Sequence, residues 1–246
     1  MIARRVFATM GTTVSLHADD PVDGRVLAGV EGVFAGYDER FSLYRPDSEL
    51  SRIADRRLAL LDASPELRDA YEQAIHWRML TRGAFSPHRP DGVVDLSGIV
   101  KALAVRDAGE VLDAAGIGAW SIGCGGDVLV RHGREGRASI GVADPAERGR
   151  LLTAVEMVAP RRAIATSGVS ERGEHVWGSR ADFDQVTVLA DDIVTADVLA
   201  TAILAGGQET CDETAATVDC DVLAVRRDGE VIGTSGVRLA LGARSG

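Results

Sequence analysis

The chain has 246 residues, 46% of them hydrophobic, and a formal net charge of −10. This length and apolar fraction are sufficient for a sizeable hydrophobic core. The acidic balance argues against nucleic acid as a partner, because a phosphate backbone is bound by clustered cations. If the ligand is itself an anion, a metal ion or the amide groups at a helix end must offset the repulsion.

Targeting signals and cysteine spacing in the sequence indicate the cellular compartment to expect. No apolar run long enough for a signal peptide follows the first arginines, no lipid anchor is seen, and no later stretch has the length of a membrane span. The cysteines Cys124, Cys211 and Cys220 form neither a metal-binding spacing nor an even disulfide set. We therefore expect a cytoplasmic protein, although a mature form without its leader would look the same. No linker or repeat divides residues 1–246, so we expect a single domain, as a monomer or a homodimer.

The first half of the chain predicts one interrupted strand followed by helices. Ser64 as N-cap and Pro65 at the first helical position mark the start of one of these helices. The predicted elements are a strand over 2–18 interrupted at Met10-Gly11, helices over 22–40 and 65–80, and a strand end at "VVDL" leading into a helix that ends near Gly116.

The second half predicts mostly strands. The segments are "AWSIGCGGDVLVRH" as two strands around a glycine-rich turn, "ASIGVAD", "RAIATSG" and "DQVTVLAD" as strands, a helix over 196–206, and a hairpin turning at Asp228-Gly229. Helices and strands come in blocks, and hairpins outnumber strand–helix–strand units. This order predicts an α+β fold with antiparallel or mixed sheets and flanking helices.

Asp197 and Thr201 interrupt an otherwise apolar helix. Residues four apart share a helix face, and Thr195 as the N-cap would place Asp197 in the first turn. Carboxylate and hydroxyl oxygens are ligands that Mg²⁺ prefers, and phosphate oxygens often complete its octahedron. The structural alternative is that Asp197 interacts with the helix dipole and Thr201 with a helix carbonyl. The pair alone leaves both interpretations open.

Other loops are suited to ligand binding, but each has an ordinary alternative. "GCGGDV" at 123–128 exposes backbone amides, "TSG" at 166–168 offers small hydroxyls, and "DLSGIVKALA" at 95–104 begins a helix. A hairpin turn, a Ser/Thr turn and a packing junction explain these three segments equally well. His175 is a lone histidine near Trp177, for which a surface or structural role is the default.

The order of these segments along the chain is more informative than any one of them. In sequence they are Met10-Gly11-Thr12, Phe41-Ser42-x-Tyr44-x-Pro46-x-Ser48-Glu49-Leu50, Gly83-Ala84-Phe85, Asp95-Leu96-x-Gly98-Ile99-x-Lys101, Gly125-Gly126-Asp127, Ala165-Thr166-Ser167-Gly168, His175 and Ala196-Asp197-x-x-x-Thr201. Together they resemble the ApbE family of FAD:protein FMN transferases, over roughly residues 6–207.

The resemblance implies an α+β fold around a flavin cleft, with FAD as substrate and Mg²⁺ on its pyrophosphate. It implies transfer of FMN to a Thr or Ser hydroxyl of an acceptor protein, with release of AMP. Asp197, Thr201 and the main-chain oxygen of Val100 would be the metal ligands, and His175 would accept the hydroxyl proton. Contacts with FAD are implied for Met10, Tyr44, Ala84, Phe85, Ser86, Ser97, Leu103, Gly125, Gly126, Asp127, Thr166, Ser167 and Trp177.

The sequence also departs from the family pattern. The family usually continues its histidine as H-I-x-D-P-x-T-G, whereas residues 175–182 read "HVWGSRAD", and Ser86 stands where an aspartate is usual. Losing two carboxylates near a metal site should weaken metal binding or alter proton transfer, unless Asp182 substitutes for one of them. Two alternatives therefore stand beside the transferase: an FAD pyrophosphatase that yields FMN and AMP, and a non-catalytic FAD-binding protein.

Overall fold

The computed structural model describes residues 3–147, 149–169 and 182–237. The chain forms two compact units, Met1–Gly125 and Gly126–Gly246. The strand pairings within each unit are antiparallel. The predicted α+β class is confirmed, and the single domain over 1–246 stays a prediction.

Among its described residues, the first unit has a three-stranded antiparallel sheet and four α-helices. Its elements are β1 (Ala3–Thr9), β2 (Thr12–Ala18), α1 (Gly24–Phe41), α2 (Glu49–Ala54), a 3₁₀ turn (Leu60–Asp62), α3 (Pro65–Leu80), α4 (Ser97–Ala114) and β3 (Trp120–Cys124). β2 lies between β1 and β3. The predicted interruption at Met10-Gly11 is a two-residue hairpin turn in which both residues have positive φ, 49° and 69°.

Local signals correctly predicted most of this unit. The Ser64 hydroxyl accepts a hydrogen bond from the Leu67 backbone N–H at 3.3 Å, which caps α3 as expected. The expected strand end at "VVDL" is wrong, since only an isolated bridge between His88 and Val94 forms there. No described strand pairs with this segment to extend the bridge, and α4 begins directly after Leu96 without a side-chain cap.

Gly98, in the first turn of α4, is in close contact with the buried side chain of Phe85. A Cβ atom at position 98 would stand 3.0 Å from Phe85 Cε2, which is tighter than most Cβ contacts in proteins. We expect Gly98→Ala to displace the ring and to lower the free energy of unfolding by about 1–2 kcal/mol. Gly36→Ala in α1 is the control, because no atom lies within 4 Å of the added methyl group.

Urea unfolding of both variants measures this difference. Gly36→Ala should be neutral or stabilising by up to about 1 kcal/mol, because alanine favours the helix. Equal stabilisation by the two substitutions would show that Phe85 does not need the space at residue 98.

Among its described residues, the second unit has five strands in one sheet, a separate hairpin and one long helix. Its elements are β4 (Asp127–Arg131), β5 (Arg137–Ala143), β6 (Leu151–Val158), β7 (Ala163–Gly168), β8 (Phe183–Ala190), α5 (Ile193–Thr217), β9 (Asp221–Arg226) and β10 (Val231–Gly233). Within this unit the sheet order is β4-β7-β8-β9-β10, and β5 pairs with β6. β6 was not among the predicted strands.

Different elements pack on the two faces of this sheet. A cluster of buried apolar side chains joins one face to the β5–β6 hairpin: Val130, Val142, Val155, Met157, Ile164, Leu189, Leu223 and Val237. Side chains alternate along a strand, so Ser167 on β7 points to the opposite face from Ile164. Ser167 contacts Thr201 of α5, which places α5 on that opposite face.

The prediction of a helix over 196–206 capped by Thr195 is wrong at both ends. Asp192 is the N-cap, because its carboxylate accepts from the Thr195 N–H at 2.7 Å, and α5 begins at Ile193. The helix is interrupted at Gly207, where φ is 71° and ψ is −156°. The Asp182 carboxylate accepts from the Gln208 N–H at 2.9 Å and caps the segment after the break. Within the described residues, no helix is long and apolar enough to cross a membrane.

Candidate functional site

Asp197 is completely buried, with 0% of its surface exposed. Because α5 begins at Ile193, Asp197 lies in the second helical turn, and the first turn contains no acidic residue. The helix dipole acts mainly within the first turn, so its attraction is a weak explanation for this carboxylate. Burying an ionised carboxylate is costly unless other groups compensate the charge. This position therefore favours the ligand-binding interpretation of Asp197 over the structural one.

Thr201 follows Asp197 by four residues on the same helix, so the two side chains share a face. The Thr201 hydroxyl lies 3.2 Å from the Ser167 hydroxyl of β7. Ser167 is 1% exposed, whereas Thr201 is half-buried. The structure therefore brings together three of the predicted site residues, Asp197 and Thr201 by the helix and Ser167 by the sheet.

Asp127 and Thr166 form a second contact between predicted site residues. The Thr166 backbone N–H donates to the Asp127 carboxylate at 3.3 Å, and Asp127 is 1% exposed. The Thr166 hydroxyl lies 3.0 Å from that of Thr187, its partner on β8. The sequence does not predict this contact, because a cross-strand pair is visible only when the strand register is known. Gly126 precedes Asp127 and begins this unit.

The oxygen donors of the second unit fit a Mg²⁺ ion whose coordination shell is completed by oxygens of a bound ligand. Among the described residues, no group of three or more His, Cys, Asp or Glu side chains could hold a metal. Mg²⁺ commonly takes only one or two carboxylates, keeps several waters and binds substrate phosphates. One carboxylate from Asp197 and one hydroxyl from Thr201 agree with such a site, but not with a cage built entirely from protein groups.

The remaining described site residues lie in the first unit, where they form separate local groups. Met10 is in the β1–β2 turn, and Gly125 follows β3 next to the start of β2. The Gly125 N–H donates to the Thr13 carbonyl at 3.3 Å. A Cβ at Gly125 would stand 3.4 Å from the Thr12 hydroxyl, and the φ of 63° at Gly125 also favours glycine. Met10 and Gly125 therefore belong to neighbouring turns of the same sheet.

The segment Ala84–Ser86 packs at the start of α4. Phe85 is 3% exposed and lies against Gly98, whereas Ser86 is exposed and its hydroxyl accepts from the His88 N–H at 3.2 Å. Ser97 is exposed at the first position of α4, and Val100 and Leu103 are buried within its first two turns. Val100 is thus inside a regular helix, where its carbonyl also serves the helical hydrogen-bond pattern.

Tyr44 is the most exposed large side chain among the described apolar and aromatic residues, at 88%. It lies in the loop between α1 and α2, which is held by hydrogen bonds around Ser42. The hydroxyls of Ser48 and Ser51 both donate to the Ser42 carbonyl, at 2.5 and 3.0 Å. The Tyr44 N–H donates to the Ser42 hydroxyl at 3.2 Å. A loop held by these hydrogen bonds therefore presents the Tyr44 ring to solvent.

Two predicted residues, His175 and Trp177, lie outside the described residues. Asp182, considered as a replacement for the missing carboxylates of the histidine loop, is described. One of its carboxylate oxygens is used to cap Gln208, and its backbone carbonyl accepts from the Arg227 N–H at 3.4 Å. The structure thus gives Asp182 a role in helix capping.

The ApbE family model matches the chain over residues 10–89 and 88–224. The chain belongs to the ApbE family. The resemblance inferred from the order of the motifs is therefore confirmed. No curated protein matches the sequence.

Solved ApbE structures share the fold along nearly the whole chain. The ApbE protein of Thermotoga maritima has a TM-score of 0.84 and 19% identity, covering 98% of this chain and 99% of that one. The flavin transferase ApbE of Vibrio cholerae has a TM-score of 0.79 and 23% identity, with coverages of 98% and 99%. The flavinyl transferase ApbE of Pseudomonas stutzeri has a TM-score of 0.79 and 17% identity, covering 98% of each chain.

Proposed function

We propose that this ApbE-family chain is a Mg²⁺-dependent FAD:protein FMN transferase. It would transfer FMN from FAD to a Thr or Ser hydroxyl of an acceptor protein and release AMP. The observation that carries this proposal is the fully buried Asp197 one helical turn from the Thr201 hydroxyl. The names of the Vibrio cholerae and Pseudomonas stutzeri proteins, a flavin transferase and a flavinyl transferase, support the same activity.

The proposed reaction exchanges one phosphorus–oxygen bond for another. The acceptor hydroxyl oxygen bonds to the FMN phosphorus of FAD, and the bond from that phosphorus to the bridging oxygen breaks. AMP leaves with the bridging oxygen, and the hydroxyl proton passes to a base. Such reactions depend mainly on positioning and charge neutralisation.

Asp197 and Thr201 would hold the metal ion, with the main-chain oxygen of Val100 as the third protein ligand by family resemblance. Bound Mg²⁺ would supply positive charge against the pyrophosphate and the charge developing on the bridging oxygen. The complete burial of Asp197 supports a carboxylate that is already in place when FAD binds. His175 is the proposed base, by its place in the sequence alone.

The other predicted residues would bind FAD. Tyr44, exposed on its fixed loop, is suited to stacking on a planar ring. The proposed set of FAD contacts is Met10, Tyr44, Ala84, Phe85, Ser86, Ser97, Leu103, Gly125, Gly126, Asp127, Thr166, Ser167 and Trp177. We also propose a cytoplasmic location, which agrees with three buried cysteines that form no disulfide.

Incubation with FAD, Mg²⁺ and a threonine-containing acceptor protein tests the proposed activity. We expect mass spectrometry to show an FMN-modified acceptor, with AMP released in equal amount, and chelation of the metal to stop the reaction. Free FMN and AMP formed equally well without an acceptor would instead indicate a pyrophosphatase. FAD that stays intact for hours with Mg²⁺ and several acceptors would indicate a binding protein, and either result would contradict the transferase.

A further inference from the structure

We propose that Ser167 is a positioning residue for the metal site: its hydroxyl oxygen accepts a hydrogen bond from the Thr201 hydroxyl and so directs the Thr201 oxygen toward the cation. This inference rests on the proposed function, in which Thr201 is a metal ligand. The two hydroxyl oxygens lie 3.2 Å apart, one on β7 and the other on α5. Ser167 would thus act through Thr201 and not by touching the metal itself.

The direction of the hydrogen bond follows from the chemistry of a hydroxyl group. A threonine hydroxyl has one proton and two lone pairs. When a lone pair faces a cation, the O–H bond must point away from it, and the cation makes the proton a stronger donor. Ser167 supplies an acceptor within hydrogen-bond distance of Thr201. Since threonine in a helix divides between two rotamers, this contact stabilises one of them.

The side chains around Ser167 indicate that its hydroxyl has a role beyond filling space. On the same face of β7, Ala163 and Ala165 are both completely buried and Ser167 is 1% exposed. The row facing α5 is therefore made of small side chains, and alanine would fit position 167 by size. A buried hydroxyl is costly unless it is hydrogen-bonded. The hydroxyl that the structure places beside it belongs to Thr201, the proposed ligand.

Ser167→Ala tests this inference through metal binding, without an activity assay. Mn²⁺ takes the same oxygen ligands as Mg²⁺, and its free concentration is measured from its electron paramagnetic resonance signal. We expect Ser167→Ala to weaken Mn²⁺ binding about tenfold, as is typical for loss of a group that orients a metal ligand. Ser167→Thr, which keeps the hydroxyl, should restore most of the affinity if the added methyl group is accommodated.

Thr187→Val is the matched control. It removes one hydroxyl of the Thr166–Thr187 pair, 3.0 Å apart, from a completely buried position on the other face of the same sheet. Its thermal stability should fall about as much as that of Ser167→Ala, but its Mn²⁺ affinity should equal that of the wild type. Equal losses of Mn²⁺ affinity in both variants would reduce the Ser167 effect to general destabilisation and overturn the proposal.

The combination with Thr201→Val separates positioning from direct binding. If Ser167 acts only through Thr201, adding Ser167→Ala to Thr201→Val should cause no further loss of Mn²⁺ affinity. A second, additive loss, or an unchanged affinity in Ser167→Ala alone, would overturn this inference and leave the transferase proposal standing. A wild-type protein that binds no Mn²⁺ at millimolar concentrations, with or without FAD, would overturn both the metal site and the inference.

Discussion

Asp197→Asn is expected to lower the rate of FMN transfer at least about 100-fold, the usual cost of losing a group that stabilises transition-state charge. The substitution keeps the shape of the side chain but removes its negative charge from a completely buried position. We expect the protein to remain folded. Mg²⁺ should raise the melting temperature of the wild type and not that of the variant, because only the wild type binds the ion in its folded state.

Asp192→Asn is the control for this experiment. Asp192 caps the same helix, with its carboxylate 2.7 Å from the Thr195 N–H, and asparagine is an equally good N-cap. The control therefore removes one negative charge from α5 without altering the pair Asp197 and Thr201. Transfer rates should be near those of the wild type in the control. Wild-type activity and wild-type Mg²⁺ stabilisation in Asp197→Asn would refute the proposed metal role.

Gly207→Ala is expected to lower the free energy of unfolding by about 2 kcal/mol. Gly207 interrupts α5 with φ 71° and ψ −156°, a region of backbone conformation that is essentially restricted to glycine. Any side chain there strains the backbone or forces the helix to continue, and a continued helix would lose the bond from the Gln208 N–H to Asp182.

Gly206→Ala provides the comparison, because Gly206 has helical backbone angles whereas Gly207 does not. Alanine is favoured over glycine in a helix by about 1 kcal/mol, so this variant should show no loss of the size expected at residue 207. Urea unfolding followed by circular dichroism measures both. Similar free energies of unfolding for the two variants would mean that the break at Gly207 is not required by the fold.

The sequence predicted those elements whose signals are local. Ser64 and Pro65 start α3 as expected. The predicted turns at Met10-Gly11 and Asp228-Gly229 each connect the two strands of a hairpin. The start of α5 was missed because its N-cap, Asp192, directly follows the predicted strand "DQVTVLAD". Its continuation past residue 206 was missed because the cap that supports it comes from Asp182, 26 residues away. Such a contact leaves no local pattern.

β6 was missed for a related reason. The segment "LLTAVEMV" does not alternate regularly between apolar and polar residues. In the structure only Val155 and Met157 of this strand are buried. The segment is a strand because β5 supplies its hydrogen-bond partners, from Arg137 with Val158 onward. Pairing between strands, and not the intrinsic preference of the segment, decides its conformation.

The candidate site was predicted in its residues but not in their contacts. The spacing of Asp197 and Thr201 places them on one helix face, and the structure adds that Asp197 is in the second turn and fully buried. The contact between Ser167 and Thr201 depends on how α5 packs on β7, which no spacing in the sequence specifies. The ordered motifs identified the family, and the ligand set remains a prediction.

A crystal of the protein soaked with FAD and Mg²⁺ tests the metal site most directly. We predict an octahedral ion at about 2.0–2.1 Å from a carboxylate oxygen of Asp197 and from the hydroxyl of Thr201, with pyrophosphate oxygens among its remaining ligands. FAD and Mg²⁺ bound at a site that includes neither side chain would contradict the account.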